Sequence, residues 1–240
     1  MSDYVAINLN EILKMLFHEN LLIRQNSSWF LVNVTENFTK DLDRNSLSLE
    51  KLVPSLINAL SGNHLIAINI CTSLSNLIKN LGDPNTVKNS SKLVFYEIYL
   101  DQISPFFETL FKELLNTAYK EGSYNSENNL FNASFMTVNT LIEYSSHDKQ
   151  EKLEEIIIYF LGLLDNSTKT TNVDLNVIKE QQSTIALSIH FSINKLIKVI
   201  NTELAKKLYE ILVLTFKQRG GIYDEAILVV SSLAISNIFI

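Results

Sequence analysis

A recurring pair of apolar-faced segments, joined within each pair by a short polar turn, constrains this chain more than any other feature. The pairs follow one another at intervals of roughly 40 to 45 residues, and in each segment the apolar residues recur at helical spacing. Hydrophobic residues make up 46% of the 240 positions, whereas 3 Pro and 6 Gly leave long stretches without helix-breaking residues. We therefore predict an all-α chain built from two-helix units.

Five two-helix units can be placed in the sequence, and no flexible linker rich in Pro, Gly or charge separates them. Their approximate bounds are 4–38, 49–81, 92–145, 152–200 and 203–240. One unit cannot bury its apolar face alone, and this period is typical of HEAT-type repeats, so we predict a single α-α superhelix (solenoid) over 1–240. The segment Ser232–Ile240 stays apolar where a solenoid normally closes with a polar repeat, so we expect a fragment of a longer array.

Local signals predict the helix ends within these units. The polar turn His18–Asn20 separates the first two helices, and Ser48 is a candidate N-cap for the third. Pro105 is expected to kink or restart the first helix of the third unit, because proline lacks the N–H that a helix interior needs. The polar segment Asp165–Asn172 is predicted to be a loop, and Gly220–Gly221 a turn between two helices.

Composition and motifs argue against several functional classes. The net charge of −6 disfavours a protein that tracks nucleic-acid phosphates, and no apolar run approaches the roughly 20 residues of a membrane span. The N-terminal residues lack a secretory signal and the single cysteine, Cys71, cannot form an internal disulfide, which indicates a reducing compartment. The histidines show neither metal-site spacing nor a nucleophile and base arrangement, so we predict no metal, no cofactor and no enzymatic activity.

The segment around Trp29 is the first candidate for a binding surface. At roughly 100° per residue, the apolar residues of this helix fall on one stripe, and Trp29, Asn33 and Glu36 fall on the opposite side. An aromatic ring beside a carboxylate suits a long basic side chain, because the ring covers the aliphatic stem and the acid pairs with the charge. This pattern predicts a ligand rich in Lys or Arg. Packing of Trp29 against a neighbouring repeat is the alternative, and the sequence leaves both open.

A row of polar residues, mostly asparagines, in the second unit is the next candidate. Opposite its core stripe, the second helix of this unit carries Asn69, Ser73, Asn76 and Asn80. Carboxamides both donate and accept hydrogen bonds, so such a row suits the main chain of an extended peptide; a solvated face in an asparagine-rich chain is the alternative. In the third unit, Glu143 and Asn139 are candidates to extend this surface, and a solvated face is again the alternative.

Taken together, these segments resemble the importin-β (karyopherin-β) family of nuclear transport receptors. The most specific match is Gly220–Leu233, which is similar to the family's Gly-Gly turn followed by an acidic pair and an alanine-rich helix. Other matching segments are Ser28-Trp29 with Glu36, Asn69–Cys71, Asn128–Leu130 and Leu141–Tyr144. Their order and spacing agree over nearly the whole chain, which corresponds to roughly a quarter of a receptor, from its central HEAT repeats.

The resemblance implies a right-handed superhelix whose inner helices hold the basic importin-β-binding segment of importin-α, or a basic cargo, with release by the GTPase Ran. It places Trp29, Glu36 and Asn69 at inner-surface positions. It also implies FG-nucleoporin contacts through other repeats of a full-length receptor, and shuttling between cytoplasm and nucleus. Thr72 stands where the family often has a second inner tryptophan, and Phe131 where a polar or basic residue is common. No binding of nucleic acid and no membrane insertion are expected.

Two other classes of function stay open at this point. A different HEAT-repeat scaffold, such as a phosphatase or chromosome-associated subunit, would use the same helices to hold other proteins in place. An enzyme whose site forms only in the folded chain would need a deep pocket with clustered His, Asp or Glu. The match at Gly220–Leu233 favours the transport receptor over the other scaffolds.

Overall fold

The computed structural model describes residues 2–37, 49–82, 103–120, 129–169, 175–196 and 202–218. All regular secondary structure within these ranges is helical, which confirms the all-α prediction. Short 3₁₀ turns occur at Ser104–Phe106 and His147–Lys149. The α-helices are α1 Ser2–Met15, α2 Leu21–Asn37, α3 Leu49–Ala59, α4 His64–Gly82, α5 Phe107–Ala118, α6 Leu130–Glu143, α7 Gln150–Lys169, α8 Leu175–Lys195 and α9 Thr202–Gln218.

Two of the predicted helix ends are confirmed. The turn at His18–Asn20 lies between α1 and α2, and Arg24 Nη1 donates to the carbonyl of His18 at 2.8 Å, which ties this turn to α2. Pro105 lies in the 3₁₀ turn before α5, where the missing N–H costs little because the first N–H groups of a helix lack intrahelical partners. The predicted N-cap Ser48 and the turn at Gly220–Gly221 lie outside the described residues.

The predicted loop at Asp165–Asn172 is wrong for its first part, because α7 continues to Lys169. Lys169 Nζ donates to Asp165 Oδ2 at 2.6 Å across one helical turn, and Ser167 is buried with its hydroxyl donating to the carbonyl of Leu164. An acid four residues before a lysine favours the helix at its C-terminal end. Polarity alone therefore did not indicate where the helix stops.

The chain forms two compact units, Met1–Ser146 and His147–Ile240. In the first unit α1 packs on α2, α3 on α4 and α5 on α6, as expected for two-helix units. The second helices of these pairs also pack side by side, in the order α2, α4, α6. We call these three the B helices. They form one layer of the unit, and α1, α3 and α5 cover one side of it.

Each B helix begins just after an asparagine that caps its N-terminus. Asn20 Oδ1 accepts from the N–H of Leu22 at 2.9 Å, and Asn63 Oδ1 accepts from the N–H of Leu65 at 3.0 Å. Before α6, Asn129 Oδ1 accepts from the N–H of Asn132 at 3.2 Å. These bonds satisfy N–H groups that have no partner inside the helix, so part of the asparagine content of this chain defines where the B helices start.

Small polar side chains fix the register between neighbouring B helices. Between α2 and α4, Asn69 Nδ2 donates to Ser28 Oγ at 3.0 Å, and about two to three turns further along, Asn80 Nδ2 donates to the carbonyl of Thr35 at 2.8 Å. Both contacts advance together along the two helices, so α2 and α4 run parallel.

The seam between α4 and α6 has the same character. Thr137 Oγ1 donates to the carbonyl of Cys71 at 2.9 Å, and the hydroxyls of Ser75 and Thr140 lie 2.9 Å apart. The order of these contacts shows that α6 also runs parallel to α4. Since α2, α4 and α6 are parallel and hydrogen-bonded in register, equivalent positions on the three helices lie side by side.

The end of α4 approaches α6 closely at Gly82. A Cβ atom at this position would lie 2.3 Å from Cδ1 and 3.0 Å from Cβ of Tyr144, which follows α6. The clash includes Cβ of Tyr144, so rotation of the ring cannot relieve it.

The helices of the opposite layer are also connected. Lys120 Nζ donates to the carbonyl of Leu60, which ties the end of α5 to the end of α3.

In the second unit, α7 contacts both α8 and α9. Gln150 Nε2 at the start of α7 donates to the carbonyl of Lys195 at the end of α8, at 3.2 Å, so these two helices run antiparallel. Their contact buries Ile157 and Phe160 of α7 and Ile189 of α8. Among the helices that the structure describes, none is long and apolar enough to cross a membrane.

The close approach at Gly82 predicts that Gly82→Ala destabilises the chain by about 1 to 3 kcal/mol, because the added methyl group must push Tyr144 and α6 away from α4. Gly162 in α7 provides a matched control, because a Cβ atom there would have nothing within 4 Å. Gly162→Ala should stabilise the chain by up to about 1 kcal/mol, since alanine favours a helix interior. Urea unfolding followed by circular dichroism measures both, and equal effects would contradict the role of the Gly82 contact.

Burial raises the pKa of the Cys71 thiol from its ordinary value of 9.0 to about 11. The folded chain therefore keeps this proton at pH values where the unfolded chain has lost it. Its contribution to stability is complete below pH 9.0 and is lost as the pH rises to about 11, a loss of about 3 kcal/mol. In reducing buffer, the free energy of unfolding measured with urea should fall more steeply over this pH range for the parent chain than for Cys71→Ala. Equal slopes would show that Cys71 titrates alike in both states.

Candidate partner-binding surface

Among the residues that the structure describes, none covers the second side of the B-helix layer. Exposed side chains recur on this side at seven-residue intervals, which is close to two helical turns and keeps them on one face. We call this surface the open face and define it by Leu22, Trp29 and Glu36 of α2, Leu65, Thr72 and Lys79 of α4, and Met136 and Glu143 of α6. Because the helices are in register, Trp29, Thr72 and Met136 form a central row, and Glu36, Lys79 and Glu143 form a charged row.

Trp29 lies on the open face with 63% of its surface exposed. Its neighbour Ser28 and, further along, Thr35 point at α4, as their hydrogen bonds to Asn69 and Asn80 show. Trp29 is rotated about 100° from Ser28, away from the α2–α4 seam, and Leu31 is buried on the core side. The ring is therefore available to a partner and is not wedged between α2 and α4.

The other two predicted residues of α2 differ in exposure. Glu36 is exposed and forms the α2 position of the charged row. Asn33 is half-buried, and its Nδ2 donates to the carbonyl of Trp29 at 2.9 Å, one turn earlier in the same helix. This bond uses part of the amide that was expected to face a ligand, and it holds Asn33 beside the backbone that carries Trp29.

The predicted row on α4 lies mainly at the seam with α2, not on the open face. Asn69 and Asn80 are half-buried and bond to α2, and Ser73 is buried. Asn76 is half-buried at the border between the seam and the open face. The expectation of an open asparagine row is therefore wrong. The prediction divided the helical wheel into a core stripe and the side opposite to it, whereas α4 contacts α3 on one side and α2 and α6 on its two flanks.

Glu143 of α6 is exposed at the end of the charged row, but Asn139, which was predicted with it, is buried. Phe131 does not belong to the surface either. Its side chain is 1% exposed, and its ring centroid lies 4.6 Å from that of Phe135 and 5.9 Å from that of Tyr119. An aromatic at this position therefore fills the α5–α6 core rather than replacing a surface contact.

Several members of the open face were missed in the sequence. Met136 is 67% exposed and Leu22 is 66% exposed, yet both look like core residues by type. Thr72 was noted only as a departure from a family pattern, and Lys79 was not considered. Steps of seven residues along α2 from Trp29 reach Leu22, and alignment of α2 and α4 at their asparagine caps pairs Trp29 with Thr72 and Glu36 with Lys79. The same alignment on α6 gives the buried Val138 instead of Met136, so Met136 is identified only by the hydrogen bonds between α4 and α6.

The open face combines apolar patches with isolated charges. Leu22, Trp29 and Met136 offer apolar area, and the charged row adds two carboxylates and one ammonium group. In the described part of the chain, Glu36, Lys79 and Glu143 make no ion pair, whereas Lys14–Glu11, Lys149–Asp148, Lys152–Glu155 and Lys169–Asp165 are among the ion pairs found there. Across the same ranges, no three His, Cys, Asp or Glu side chains come close enough together to hold a metal ion.

Comparison with known proteins gives the same family in each case. Residues 51–237 match the family model described as importin subunit beta-1-like, TPR repeats. Importin subunit beta-1 of Schizosaccharomyces pombe is 22% identical over 166 residues, which cover 69% of this chain and 18% of that protein. The chain therefore spans less than a fifth of the length of this relative.

Solved structures show the same fold. A crystal structure of importin beta aligns with 99% of this chain and 26% of its own, with a TM-score of 0.77 and 18% identity. Kap95 in complex with Nup1 aligns over 99% of this chain and 26% of its own, with a TM-score of 0.69 and 16% identity. Kap95p with RanGDP aligns over the same shares of the two chains, with a TM-score of 0.67 and 18% identity. These likenesses confirm an all-α fold of the importin-β HEAT-repeat type.

The exposure of Trp29 predicts that Trp29→Ala changes the free energy of unfolding by less than about 1 kcal/mol. Leu31, two residues away in the same helix and fully buried, is the matched control, because Leu31→Ala removes core contacts and should cost about 2 to 5 kcal/mol. Thermal unfolding of the two variants compares them directly. A loss for Trp29→Ala as large as that for Leu31→Ala would mean that the ring stabilises the fold.

Proposed function

This chain belongs to the importin subunit beta-1-like family, and we propose that it forms a receptor segment that binds a basic importin-β-binding segment of importin-α, or a basic cargo, on its open face. The exposed ring of Trp29, with a carboxylate two turns away, is the observation that supports this proposal most. The role is that of a binding scaffold in a transport receptor, without catalysis.

Contacts on the open face suit long basic side chains. The ring of Trp29 offers an aromatic face to an alkyl stem or a guanidinium, and Met136 in the same row adds a flexible apolar contact. Glu36 and Glu143 pair with the cationic ends of such side chains. Surface ion pairs of this kind contribute modestly one by one, so affinity comes from several contacts spread over three helices.

The predicted asparagines take different parts in this proposal. Asn76, at the border of the open face, contacts the main chain of the ligand. Asn33 and Asn69 act mainly through the helices that carry the contacts: Asn33 is bonded beneath Trp29, and Asn69 holds α4 against Ser28 of α2. Their substitution is expected to loosen the surface more than to remove a direct contact.

The wider setting follows from the complexes of related proteins. Kap95 structures include Nup1 in one case and RanGDP in another. We extend the proposal to a full-length receptor containing this segment, which contacts FG nucleoporins through other repeats, releases its cargo under the control of Ran, and shuttles between cytoplasm and nucleus.

Calorimetric titration of the chain with a basic importin-β-binding peptide tests the binding proposal. We expect binding at about 0.05 M salt that weakens at about 0.3 M, because the Debye length shortens and the exposed carboxylates are screened. Trp29→Ala should weaken binding about threefold to tenfold at low salt. No binding at low salt, or binding with no salt dependence, would contradict the proposal.

Charge removal on the two layers provides a matched pair for the same titration. Glu36→Gln removes a carboxylate from the open face and should weaken binding about twofold to fivefold. Glu108→Gln removes an exposed carboxylate from α5, on the opposite layer of the same unit, and should leave the affinity unchanged. Equal losses in both variants would indicate that net charge, rather than the open face, attracts the peptide.

A further inference from the structure

The charged row alternates in sign across the three B helices. Glu36 of α2 is acidic, Lys79 of α4 is basic and Glu143 of α6 is acidic, and all three side chains are exposed. A uniformly basic segment lying along this row would be attracted by the two carboxylates and repelled by the ammonium group between them. The positive charge of Lys79 therefore indicates which charge a partner has at this point, which the apolar central row cannot indicate.

The register of the B helices places these three charges in a line. The bonds of Asn80 to Thr35 and of Ser75 to Thr140 connect the C-terminal halves of α2, α4 and α6, and the charged row lies within about one turn of those bonds. Packed helices lie about 8 to 10 Å apart, so successive charges are separated by about that distance and the outer carboxylates by about twice as much.

Within the described residues, the three side chains have no ion-pair partners on the protein. Four ion pairs of the described residues join positions three or four apart, or adjacent ones, and all four lie on other helices and turns. A partner can therefore contact Glu36, Lys79 and Glu143 directly, without first breaking an ion pair within the protein. An acidic partner residue that faces Lys79 therefore strengthens binding, and a basic one weakens it.

Helical geometry fits this line better than an extended strand. A helix rises about 1.5 Å per residue, so about seven residues cover the distance between two B helices and also return the side chain to the same face. An extended segment covers it in about three residues, which turns successive side chains to opposite faces. A helix is about 10 Å wide, close to the separation of the charged row from the central row, so one helix touches both.

We propose that the charged row selects a partner helix lying across α2, α4 and α6, with a basic residue facing Glu36, an acidic residue facing Lys79 and a basic residue facing Glu143. The apolar side of that helix rests on Trp29 and Met136. This inference rests on the proposed function, because it assumes a largely basic partner, and it adds Lys79 as the residue that determines specificity within such partners.

Two helical peptides of about 20 residues test the role of Lys79. Both carry lysines about seven residues on either side of a central position, which is Glu in one peptide and Lys in the other. The parent chain should bind the Glu peptide about threefold more tightly, and Lys79→Glu should reverse the preference, so that the two ratios differ by about tenfold. Lys112→Glu, which reverses an exposed charge on α5, is the control and should keep the parent preference.

Titration calorimetry at low salt separates the possible outcomes. Reversal in Lys79→Glu but not in Lys112→Glu supports the proposal. Tight binding of both peptides with the same ratio in all three proteins overturns the role of Lys79 but leaves the proposed function standing. Failure of either peptide to bind any of the proteins, when the basic importin-β-binding peptide also fails, overturns the proposed function and this inference together. If that peptide binds and the two designed helices do not, only the inference is overturned.

Discussion

The parallel packing of α2, α4 and α6 through small polar side chains is the interaction on which the rest of the first unit depends. At these seams Ser, Thr and Asn replace large apolar residues, which lets the helices approach closely while hydrogen bonds fix their register. Buried polar groups are costly without partners, so a shift of one helix by a turn would break several bonds at once. The same register aligns the exposed positions into rows, so the seam and the binding surface have a common cause.

Much of the fold follows from the sequence alone, because apolar residues at helical spacing and a repeated period identify two-helix units whose faces must be buried together. The helix pairs, the turn at His18–Asn20 and the interruption at Pro105 are all local consequences of residue type. The end of α7 was harder to predict, because the pair of Asp165 and Lys169 keeps a polar segment helical. A loop and an ion-paired last turn have similar composition.

The candidate surface was only partly accessible to sequence analysis. Trp29 stood out because a large aromatic opposite an apolar stripe is unusual, and Glu36 and Glu143 were found beside such stripes. The asparagines of α4 were misplaced because a stripe on a helical wheel does not reveal the lateral neighbours, and it is α2 that occupies Asn69. Met136 was passed over because its type suggests a core, whereas its exposure depends on which sides of α6 are covered.

The charged row also stands at a particular place in the electric field of the helices. Parallel B helices point their positive N-terminal ends, each capped by an asparagine, to one edge of the layer and their negative C-terminal ends to the other. Glu36 and Glu143 lie in the last turns of α2 and α6, where the backbone carbonyls already supply negative potential, whereas Lys79 in the last turn of α4 offsets it. The two acids are therefore unfavourably placed in the isolated chain, and a cation brought by a partner relieves the repulsion. The open face thus has a polarity along the helix axes, and its C-terminal edge favours the cationic part of a partner once the two are in contact.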